Sequence, residues 1–302
     1  MNTVAVHSLP SAARDAALLA SRLKVPLHGI GVHRFPDGEL RVTVAAAGAT
    51  TILYMPLDRP NDKLLMLLFA AEALRRGGAE RLVLVAPYLC YMRQDAAFHE
   101  GEAISQKVIG GLIARTVDRL VTVDAHLHRT KDIAEVFPGI EAQDLSAMPA
   151  IADALRGSLA PGTIVVGPDE ESQPWVSDLA GRLGIDCAVA KKTRRGDRAV
   201  EISFDNTARF AGRPVPLADD MVSSGGTLIA VAKALTAAGA TTIDAVIVHA
   251  LYPPEAAGEF MRAGIRSVRS ANSVAHPTNA IALDEILAAA LQSEIGGPGG
   301  KS

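Results

Sequence analysis

The sequence predicts an α/β protein of two domains, each a mostly parallel sheet flanked by helices. Short β-branched runs alternate with longer Ala-rich and Leu-rich helical patterns, an order typical of β-α-β units. The chain has 302 residues, and a domain usually contains roughly 100 to 200, so two domains are expected. Glycines such as Gly184 and Gly239 follow the predicted helices, where a left-handed cap commonly ends a helix.

Composition excludes several classes of protein. Hydrophobic residues make up 49% of the chain, enough for a full core, and the net charge of -3 gives no electrostatic reason to expect nucleic acid. The two cysteines, Cys90 and Cys187, exclude a disulfide framework and fit a reducing cytoplasm. The longest apolar stretch, residues 64–71, is too short for the ~18 to 20 residues of a membrane span. We therefore expect a soluble cytoplasmic protein without a leader peptide or membrane partner.

The individual elements follow from hydrophobic spacing. Short runs rich in Val, Ile and Thr predict strands, whereas longer segments with apolar residues every three or four positions predict helices. Strands are predicted at residues 51–55, 81–85, 120–123, 163–166, 187–190, 215–217 and 242–249. Helices are predicted at residues 63–76, 103–114, 175–183 and 227–238.

The domain boundary is predicted near Ser146. Residues 141–161 mix Ser, Pro, Gly and Ala and separate two blocks of similar strand–helix order. The first domain is therefore expected over residues 1–145 and the second over residues 146–291. Because the chain end lacks an apolar anchor, residues 292–302 are predicted to be a disordered tail.

The segment at residues 213–230 predicts a phosphate-binding loop. An apolar strand leads to two acids, a turn rich in Ser and Gly, and then a helix. Glycines allow positive φ angles and bring backbone N–H groups together, while the helix adds the positive end of its dipole. The residues expected to hold the phosphate are Ser223, Ser224, Gly225, Gly226 and Thr227.

The two acids before this loop indicate a sugar. Asp219 and Asp220 come at the end of the strand, where carboxylates can accept hydrogen bonds from a sugar diol. The glycine pair could instead make only a tight turn, with one aspartate capping a helix. The run Asp-Asp-Met-Val-Ser-Ser-Gly-Gly-Thr resembles the ribose 5-phosphate loop of phosphoribosyltransferases and of ribose-phosphate pyrophosphokinases, the PRPP synthases.

Further segments separate these two families. Residues 87–95 and 102–107 resemble PRPP synthases at matching places, as do residues 59–79 and 273–281. The resemblance covers residues 3–291, whereas a plain phosphoribosyltransferase would share only the loop. It implies two phosphoribosyltransferase-type domains, with ligands at the carboxyl ends of the strands.

The resemblance also implies an ATP site in the first domain. A turn in residues 34–40 projects Phe35, Asp37 and Glu39, which could stack on a purine and accept from its amine, although Pro-Asp-Gly is also a common turn sequence. Family members form dimers or larger assemblies in which this turn reaches a neighbour's ATP site. The polar triplet at residues 93–95 could be only a solvated loop. Its Arg93 suits a triphosphate, Gln94 can read a base edge, and Asp95 completes the predicted ATP-binding set.

Two residues are implied as magnesium ligands. His126 matches the family histidine at Mg²⁺-ATP, and Asp169 matches a carboxylate that helps to hold the metal. His-x-His pairs are also often structural, and His128 lies outside the match and is unassigned. After Asp169 the chain departs from the family, since residues 170–172 are Glu-Glu-Ser where many members have glycines. The added carboxylates could strengthen metal binding or repel phosphates.

The densest basic run, residues 190–198, stands where PRPP synthases carry a mobile catalytic loop. The match places Lys192 on the catalytic lysine and Arg194 on its partner arginine, although such a run is also typical of a solvated loop. The expected reaction is Mg²⁺-dependent transfer of pyrophosphate from ATP to C1 of ribose 5-phosphate, giving PRPP and AMP. Two alternatives remain: a catalytically silent homologue that regulates or scaffolds a synthase, and a PRPP-consuming phosphoribosyltransferase.

Overall fold

The computed structural model describes residues 4–127, 129–195 and 199–296. The chain divides into two compact units. Unit 1 comprises Met1–Leu145, Ser273–Ala275 and Leu283–Ser302, and unit 2 comprises Ser146–Asn272 and His276–Ala282. The predicted boundary near Ser146 lies at the main division between the units.

Strands and helices alternate through both units. The strands are β1 (Val4–Ser8), β2 (Leu27–Gly29), β3 (Gly31–Arg34), β4 (Leu40–Thr43), β5 (Thr50–Tyr54), β6 (Arg81–Ala86), β7 (Arg119–Val123), β8 (Glu141–Leu145), β9 (Ile164–Gly167), β10 (Asp186–Val189), β11 (Lys191–Arg195), β12 (Ala199–Ser203), β13 (Pro214–Val222), β14 (Thr242–Ala250), β15 (Ile265–Ala271) and β16 (Asn279–Ile281). The helices are α1 (Ala13–Leu23), α2 (Pro60–Arg76), α3 (Ser105–Ala114), α4 (Met148–Arg156), α5 (Gln173–Leu183), α6 (Gly226–Ala237), α7 (Ala257–Arg262), α8 (Asp284–Ala290) and α9 (Gln292–Ile295). None of the helices in the described part of the chain has the length and apolar character needed to cross a membrane.

Unit 1 is built on a six-stranded sheet in the order β2-β1-β5-β6-β7-β8, in which every neighbouring pair is parallel. Strands β5 and β7 are buried at every residue, as expected for central strands of a parallel sheet covered on both faces. Leu53, Leu84 and Leu120 lie side by side in register and have no exposed surface. Together with Leu67 and Leu74 of α2 they form the core of this unit.

Unit 2 repeats this arrangement with its own parallel sheet, ordered β10-β9-β13-β14-β15-β16. In both units the second strand of the sheet along the chain, β2 or β10, is the edge strand beside the first, β1 or β9. An antiparallel pair of strands comes before the third strand of the sheet, β5 or β13. The hairpins are β3–β4 in unit 1 and β11–β12 in unit 2. In open sheets of this kind, ligands bind at the carboxyl ends of the strands, where the strand order reverses. In unit 2 that point lies between β9 and β13.

The C-terminal segment corrects two predictions. The segment from Leu283 belongs to unit 1 rather than to the second domain, and α9 occupies the start of the predicted disordered tail. Glu294 in α9 is 7% exposed and accepts hydrogen bonds from Arg81 at 2.7 Å and Arg119 at 2.9 Å. These partners lie more than 170 residues earlier, so no local pattern reveals the contact. Residues 297–302 lie outside the described residues.

Candidate active site

The predicted phosphate-binding loop joins β13 to α6. Gly225 precedes the first helical residue and has φ +79°, a left-handed conformation that favours glycine. Its carbonyl accepts a hydrogen bond from the Ile229 N–H at 2.9 Å, which closes the first turn of α6. The first N–H groups of a helix have no intrahelical partner, and the dipole favours an anion there. Ser223 and Ser224 are exposed and Thr227 is half-buried, so hydroxyl groups surround this helix end.

The loop packs tightly against a phenylalanine that sequence reasoning missed. A Cβ atom on Gly225 would lie 2.3 Å from Cε1 and 2.6 Å from Cζ of Phe260 in α7. Phe260 is buried, with 1% of its surface exposed. Gly225 is therefore required both by its φ angle and by the ring beside it. Gly225 lies between β13 and β14 and Phe260 between β14 and β15, so no local sequence pattern links them.

Three carboxylates lie at the carboxyl ends of β9 and β13. Asp219 and Asp220 are in the last part of β13, and Asp169 follows β9 by two residues. Val166 pairs with Leu217, so Asp169 and Asp220 are each three residues beyond a paired position. Burial raises the pKa of Asp219 well above its usual range, and the negative charges of Asp220 and Asp169 raise it further. The structure thus brings together the predicted sugar ligands and the predicted metal ligand.

Asp169 is also shifted by its surroundings. Burial raises the pKa of this carboxyl group, and the charges of Glu171 and Asp220 add to the shift. The Ser172 N–H and the Lys192 ammonium act in the opposite direction. Several charges therefore converge on one carboxylate, as expected for a residue in a binding site.

The structure explains part of the difference at residues 170–172, where the chain has Glu-Glu-Ser in place of glycines. These residues form a short 3-10 turn that Asp169 caps, since its Oδ1 accepts a hydrogen bond from the Ser172 N–H at 3.2 Å. Ser172 is fully buried, and a Cβ on Gly167 would lie 1.9 Å from its hydroxyl oxygen. Ser172 thus fills the space beside β9, while Glu170 and Glu171 remain exposed.

The basic strand β11 reaches the phosphate loop. Lys192 Nζ donates a hydrogen bond to Thr227 Oγ1 at 3.3 Å, although 35 residues separate them. The charge of the same ammonium partly opposes the rise in the pKa of Asp169. Arg194 lies two residues further along β11, paired with Val200 of β12. Residues 191–195 thus form a strand where the resemblance implies a catalytic loop, and Lys192 of that strand contacts the predicted phosphate loop within unit 2.

The predicted purine-stacking turn lies between β3 and β4. The Phe35 N–H donates to the Glu39 carbonyl and the Gly38 N–H to the Phe35 carbonyl, both at 2.9 Å. Asp37 accepts a hydrogen bond from the Glu39 N–H at 3.2 Å. The Phe35 ring is 37% exposed and lies edge-on to His33, with centroids 4.7 Å apart. Phe35 therefore projects from the unit and does not anchor the turn by packing in the core.

Gln94 is held within its own loop. Its Oε1 accepts a hydrogen bond from the Ser105 hydroxyl at 2.9 Å, and its Nε2 lies 3.4 Å from a Glu102 oxygen. The same Glu102 oxygen accepts the Phe98 N–H at 2.9 Å. Both ends of the Gln94 amide are thus engaged in shaping the loop that follows Arg93.

Asp95 pairs with an arginine that the sequence analysis did not identify. The Asp95 side chain is 2% exposed and accepts from the Arg129 guanidinium at 2.7 Å and from the Arg129 N–H at 3.2 Å. The guanidinium also lies 5.2 Å from the centre of the Phe98 ring. Because 34 residues separate the pair, no motif spacing could reveal it. Asp95 thus connects the two loops that carry Arg93 and His126.

His126 lies in the loop after β7 and is half-buried. The N–H of its neighbour Ala125 donates to Asp144 at 3.0 Å. Burial raises the pKa of Asp144 to about 7, against the effect of this hydrogen bond. His128 lies outside the described residues. Among the residues that the structure describes, no group of three His, Cys, Asp or Glu side chains could hold a metal ion.

Comparisons with known proteins agree with both halves of this description. Residues 4–116 match the N-terminal domain of ribose phosphate pyrophosphokinase, and residues 151–282 match the phosphoribosyl transferase domain. A ribose-phosphate pyrophosphokinase of Methanobrevibacter smithii is 30% identical over 296 residues, covering 93% of this chain and 98% of the relative. One from Maricaulis maris is 31% identical over 273 residues, covering 89% and 86%.

The chain belongs to the ribose-phosphate pyrophosphokinase family. Its fold is similar to the crystal structure of phosphoribosylpyrophosphate synthetase from Mycobacterium smegmatis, with a TM-score of 0.84 and 23% identity over 97% of this chain and 99% of that one. The predicted family and the predicted pair of mostly parallel sheets flanked by helices are confirmed. The N-terminal match goes beyond the single loop that a PRPP-consuming transferase would share.

Proposed function

We propose that this ribose-phosphate pyrophosphokinase family member transfers pyrophosphate from ATP to C1 of ribose 5-phosphate, giving PRPP and AMP. The observation that carries the proposal is the contact between Lys192 and Thr227. It joins a catalytic cation to a loop suited to a phosphate, beside carboxylates suited to a sugar. The names of the relatives support the same reaction class.

The ribose 5-phosphate site would use the loop and the two aspartates of β13. The start of α6 and the hydroxyls of Ser223, Ser224 and Thr227 would hold the 5-phosphate. Asp219 and Asp220 would accept hydrogen bonds from the ribose hydroxyls. This division of roles is supported by position, because the acids precede the loop on the same strand–helix connection.

We infer that magnesium is held here through a single protein carboxylate, since the described residues contain no cluster of three His, Cys, Asp or Glu ligands. Burial disfavours the ionised forms of Asp169 and Asp219, and the charge of Asp220 adds to both pKa shifts; a divalent cation would relieve that repulsion. Mg²⁺ prefers oxygen ligands and keeps several waters, so it does not need a cage made of protein alone. Asp169 would hold it in unit 2, and His126 would serve Mg²⁺-ATP in unit 1. When bound, the ion would neutralise charge on the phosphates.

The chemical step would need positioning more than covalent participation. The anomeric hydroxyl attacks the β-phosphorus, so an O1–P bond forms as the bond from that phosphorus to the α-phosphate oxygen breaks. AMP leaves, and the hydroxyl proton passes to solvent. Lys192 and Arg194 would stabilise the charge that develops on the phosphates rather than act as bases.

ATP would be bound by Arg93 through its phosphates, with Gln94 and Asp95 shaping the loop around it. The exposed turn with Phe35, Asp37 and Glu39 is suited to contact a base on a neighbouring copy, so we infer a homo-oligomer. Comparing the specific activity with the mass measured by light scattering over a dilution series tests this inference. Constant activity in a monomer would contradict it.

An assay of AMP formation tests the reaction directly. Purified protein is incubated with ATP, with and without ribose 5-phosphate and Mg²⁺, and AMP and PRPP are separated by chromatography. We expect equal amounts of AMP and PRPP, with both requiring all three components. ATP hydrolysis that is independent of ribose 5-phosphate, or the absence of AMP, would refute the proposal.

A further inference from the structure

The phosphate loop is held at both ends by the segment that follows β14. At the start of the loop, the Leu251 N–H donates to the Val222 carbonyl at 2.9 Å. At its end, the Phe260 ring occupies the space next to Gly225. These two contacts lie on either side of Ser223 and Ser224, so the 251–260 segment defines the shape of the phosphate loop.

Phe260 is in turn supported by a buried tyrosine. The rings of Tyr252 and Phe260 lie edge to face, with centroids 4.9 Å apart and an interplanar angle of 74°. Tyr252 is 2% exposed and also contacts the His276 ring at 4.5 Å between centroids. Contact thus continues from Gly225 through two aromatic rings to a histidine.

Hydrogen bonds fix the protonation of that histidine. His276 Nε2 lies 3.2 Å from the Tyr252 carbonyl, which can only accept, so Nε2 carries the proton. Nδ1 lies 2.7 Å from the Thr278 hydroxyl and accepts the Thr278 N–H at 3.3 Å. Burial lowers the pKa of His276 against the effect of the Tyr252 carbonyl, in agreement with a neutral ring.

The polar chain continues in one direction through β15 and β16. Because Thr278 donates its hydroxyl proton to His276, its oxygen accepts from the Ser270 hydroxyl at 2.8 Å. Ser270 in turn accepts from Asn279 Nδ2 at 3.0 Å. The Asn279 amide is oriented because Nδ2 also donates to the Ala271 carbonyl at 2.8 Å, while Oδ1 accepts the His276 N–H at 2.9 Å. Every donor and acceptor in this chain is matched.

We propose that Thr278, His276 and Tyr252 are positioning residues that set the phosphate loop through Phe260, and thereby the affinity for the phosphate group of the substrate. The inference rests on the proposed function only in naming that substrate as ribose 5-phosphate. None of the three residues needs to contact the ligand. Their effect reaches it through the backbone at Gly225, where the Phe260 ring occupies the space that a Cβ atom would need.

The test compares Thr278→Val with Thr278→Ser. Valine keeps the shape of threonine but removes the hydroxyl, and serine keeps the hydroxyl. We expect Thr278→Val to raise the KM for ribose 5-phosphate about tenfold, since it leaves buried polar partners unsatisfied. The KM for ATP and the turnover number should change less than about threefold, and Thr278→Ser should restore the KM. A purely structural defect would lower the amount of active enzyme without this selective effect.

Calorimetric titrations separate failure of this inference from failure of the proposed function. The full-length wild type and both variants are titrated with ribose 5-phosphate and with inorganic phosphate, and His276→Leu serves as a second disruption. Equal affinities in wild type, Thr278→Val and His276→Leu would overturn the positioning role. If the wild type binds phosphate but not ribose 5-phosphate, the proposed function is wrong, and the phosphate affinities still decide the positioning role. Binding of neither ligand would overturn both.

Discussion

Lys192 and Lys191 are neighbours in β11 with different surroundings. Lys192 donates a hydrogen bond to Thr227 and its charge acts on the Asp169 carboxyl group, whereas Lys191 is 47% exposed and pairs with Asp205 at 2.7 Å. This difference makes Lys191 a matched control for charge. Substituting each lysine in turn therefore distinguishes a specific electrostatic role of Lys192 from a general effect of positive charge on β11.

We expect Lys192→Ala to lower turnover about 10²- to 10³-fold, the effect of removing one donor from a charge-stabilising site. The affinity for ribose 5-phosphate should stay within a few-fold of wild type, because the lost interaction belongs mainly to the transition state. Lys191→Ala should retain near-normal turnover. Steady-state kinetics and calorimetry measure both quantities. Equal turnover in the two variants would remove Lys192 from the mechanism.

The surroundings of Asp219 disfavour the charged form of its carboxyl group. Because its pKa is raised in the folded protein, the unfolded state releases that proton first as the pH rises. Stability should therefore fall as the pH rises through the range between the ordinary carboxyl pKa and the raised one. Above that range, the free energy of unfolding is reduced by the full cost of ionising Asp219 in the folded protein.

We expect Asp219→Asn to raise the Tm by roughly 2 to 4 °C at neutral pH in EDTA, because it removes this charge. The fall in stability with pH should be smaller in the variant, and ribose 5-phosphate should bind more weakly. Asp153→Asn, at a side chain that is 71% exposed, is the control. Thermal and urea unfolding between acid and neutral pH measure the effect. A lower Tm for Asp219→Asn than for the control would contradict the assignment.

At the scale of elements, the sequence predicts seven of the sixteen strands in the described residues, β5, β6, β7, β9, β10, β13 and β14, but not every boundary or every neighbour. The helix after the phosphate loop is predicted from Thr227 and begins at Gly226. Strand β1 was not predicted, because His7 and Ser8 interrupt its apolar run, although both are buried. Periodicity reports burial only where apolar residues fill the buried positions.

The connection from β13 to α6 can be tested with its two glycines. Gly225→Ala places a Cβ 2.3 Å from Phe260 at a residue with φ +79°, whereas a Cβ on Gly226 would approach only Ser224 Oγ at 3.9 Å. We expect Gly225→Ala to lower the free energy of unfolding by at least ~1 kcal/mol, and Gly226→Ala to be neutral or stabilising. Urea unfolding of both variants measures this difference. Equal stabilities would show that the Phe260 contact does not constrain the loop.

At the scale of the whole molecule, the C-terminal segment completes unit 1. Glu294 connects α9 to Arg81 in β6 and Arg119 in β7. Burial alone would raise the pKa of Glu294, but hydrogen bonds from Arg81 and Arg119 outweigh it and lower the pKa. Arg119 is itself buried, with 4% of its side chain exposed. Loss of the carboxylate would leave the buried Arg119 cation with Glu141, at 3.0 Å, as its remaining acidic partner.

We expect Glu294→Gln to destabilise the protein by about 2 kcal/mol, because buried Arg119 loses one of its two carboxylate partners. Glu285→Gln, at a side chain that is 80% exposed and 3.5 Å from Arg22, should change stability by less than about 0.5 kcal/mol. Both are measured by chemical unfolding. Similar small effects would mean that α9 contributes little to unit 1.

The sequence by itself predicted, from local spacing, the alternation of strands and helices and a phosphate loop after Asp219 and Asp220, and it indicated the family through its resemblance to PRPP synthases. Only the tertiary structure decided that Lys192 meets Thr227, that Asp95 is paired with Arg129, that Phe260 lies beside Gly225, and that Glu294 closes unit 1. In each of these pairs the partners are 34 or more residues apart. The packing of strands in a sheet determines such contacts, and hydrophobic periodicity carries no record of them.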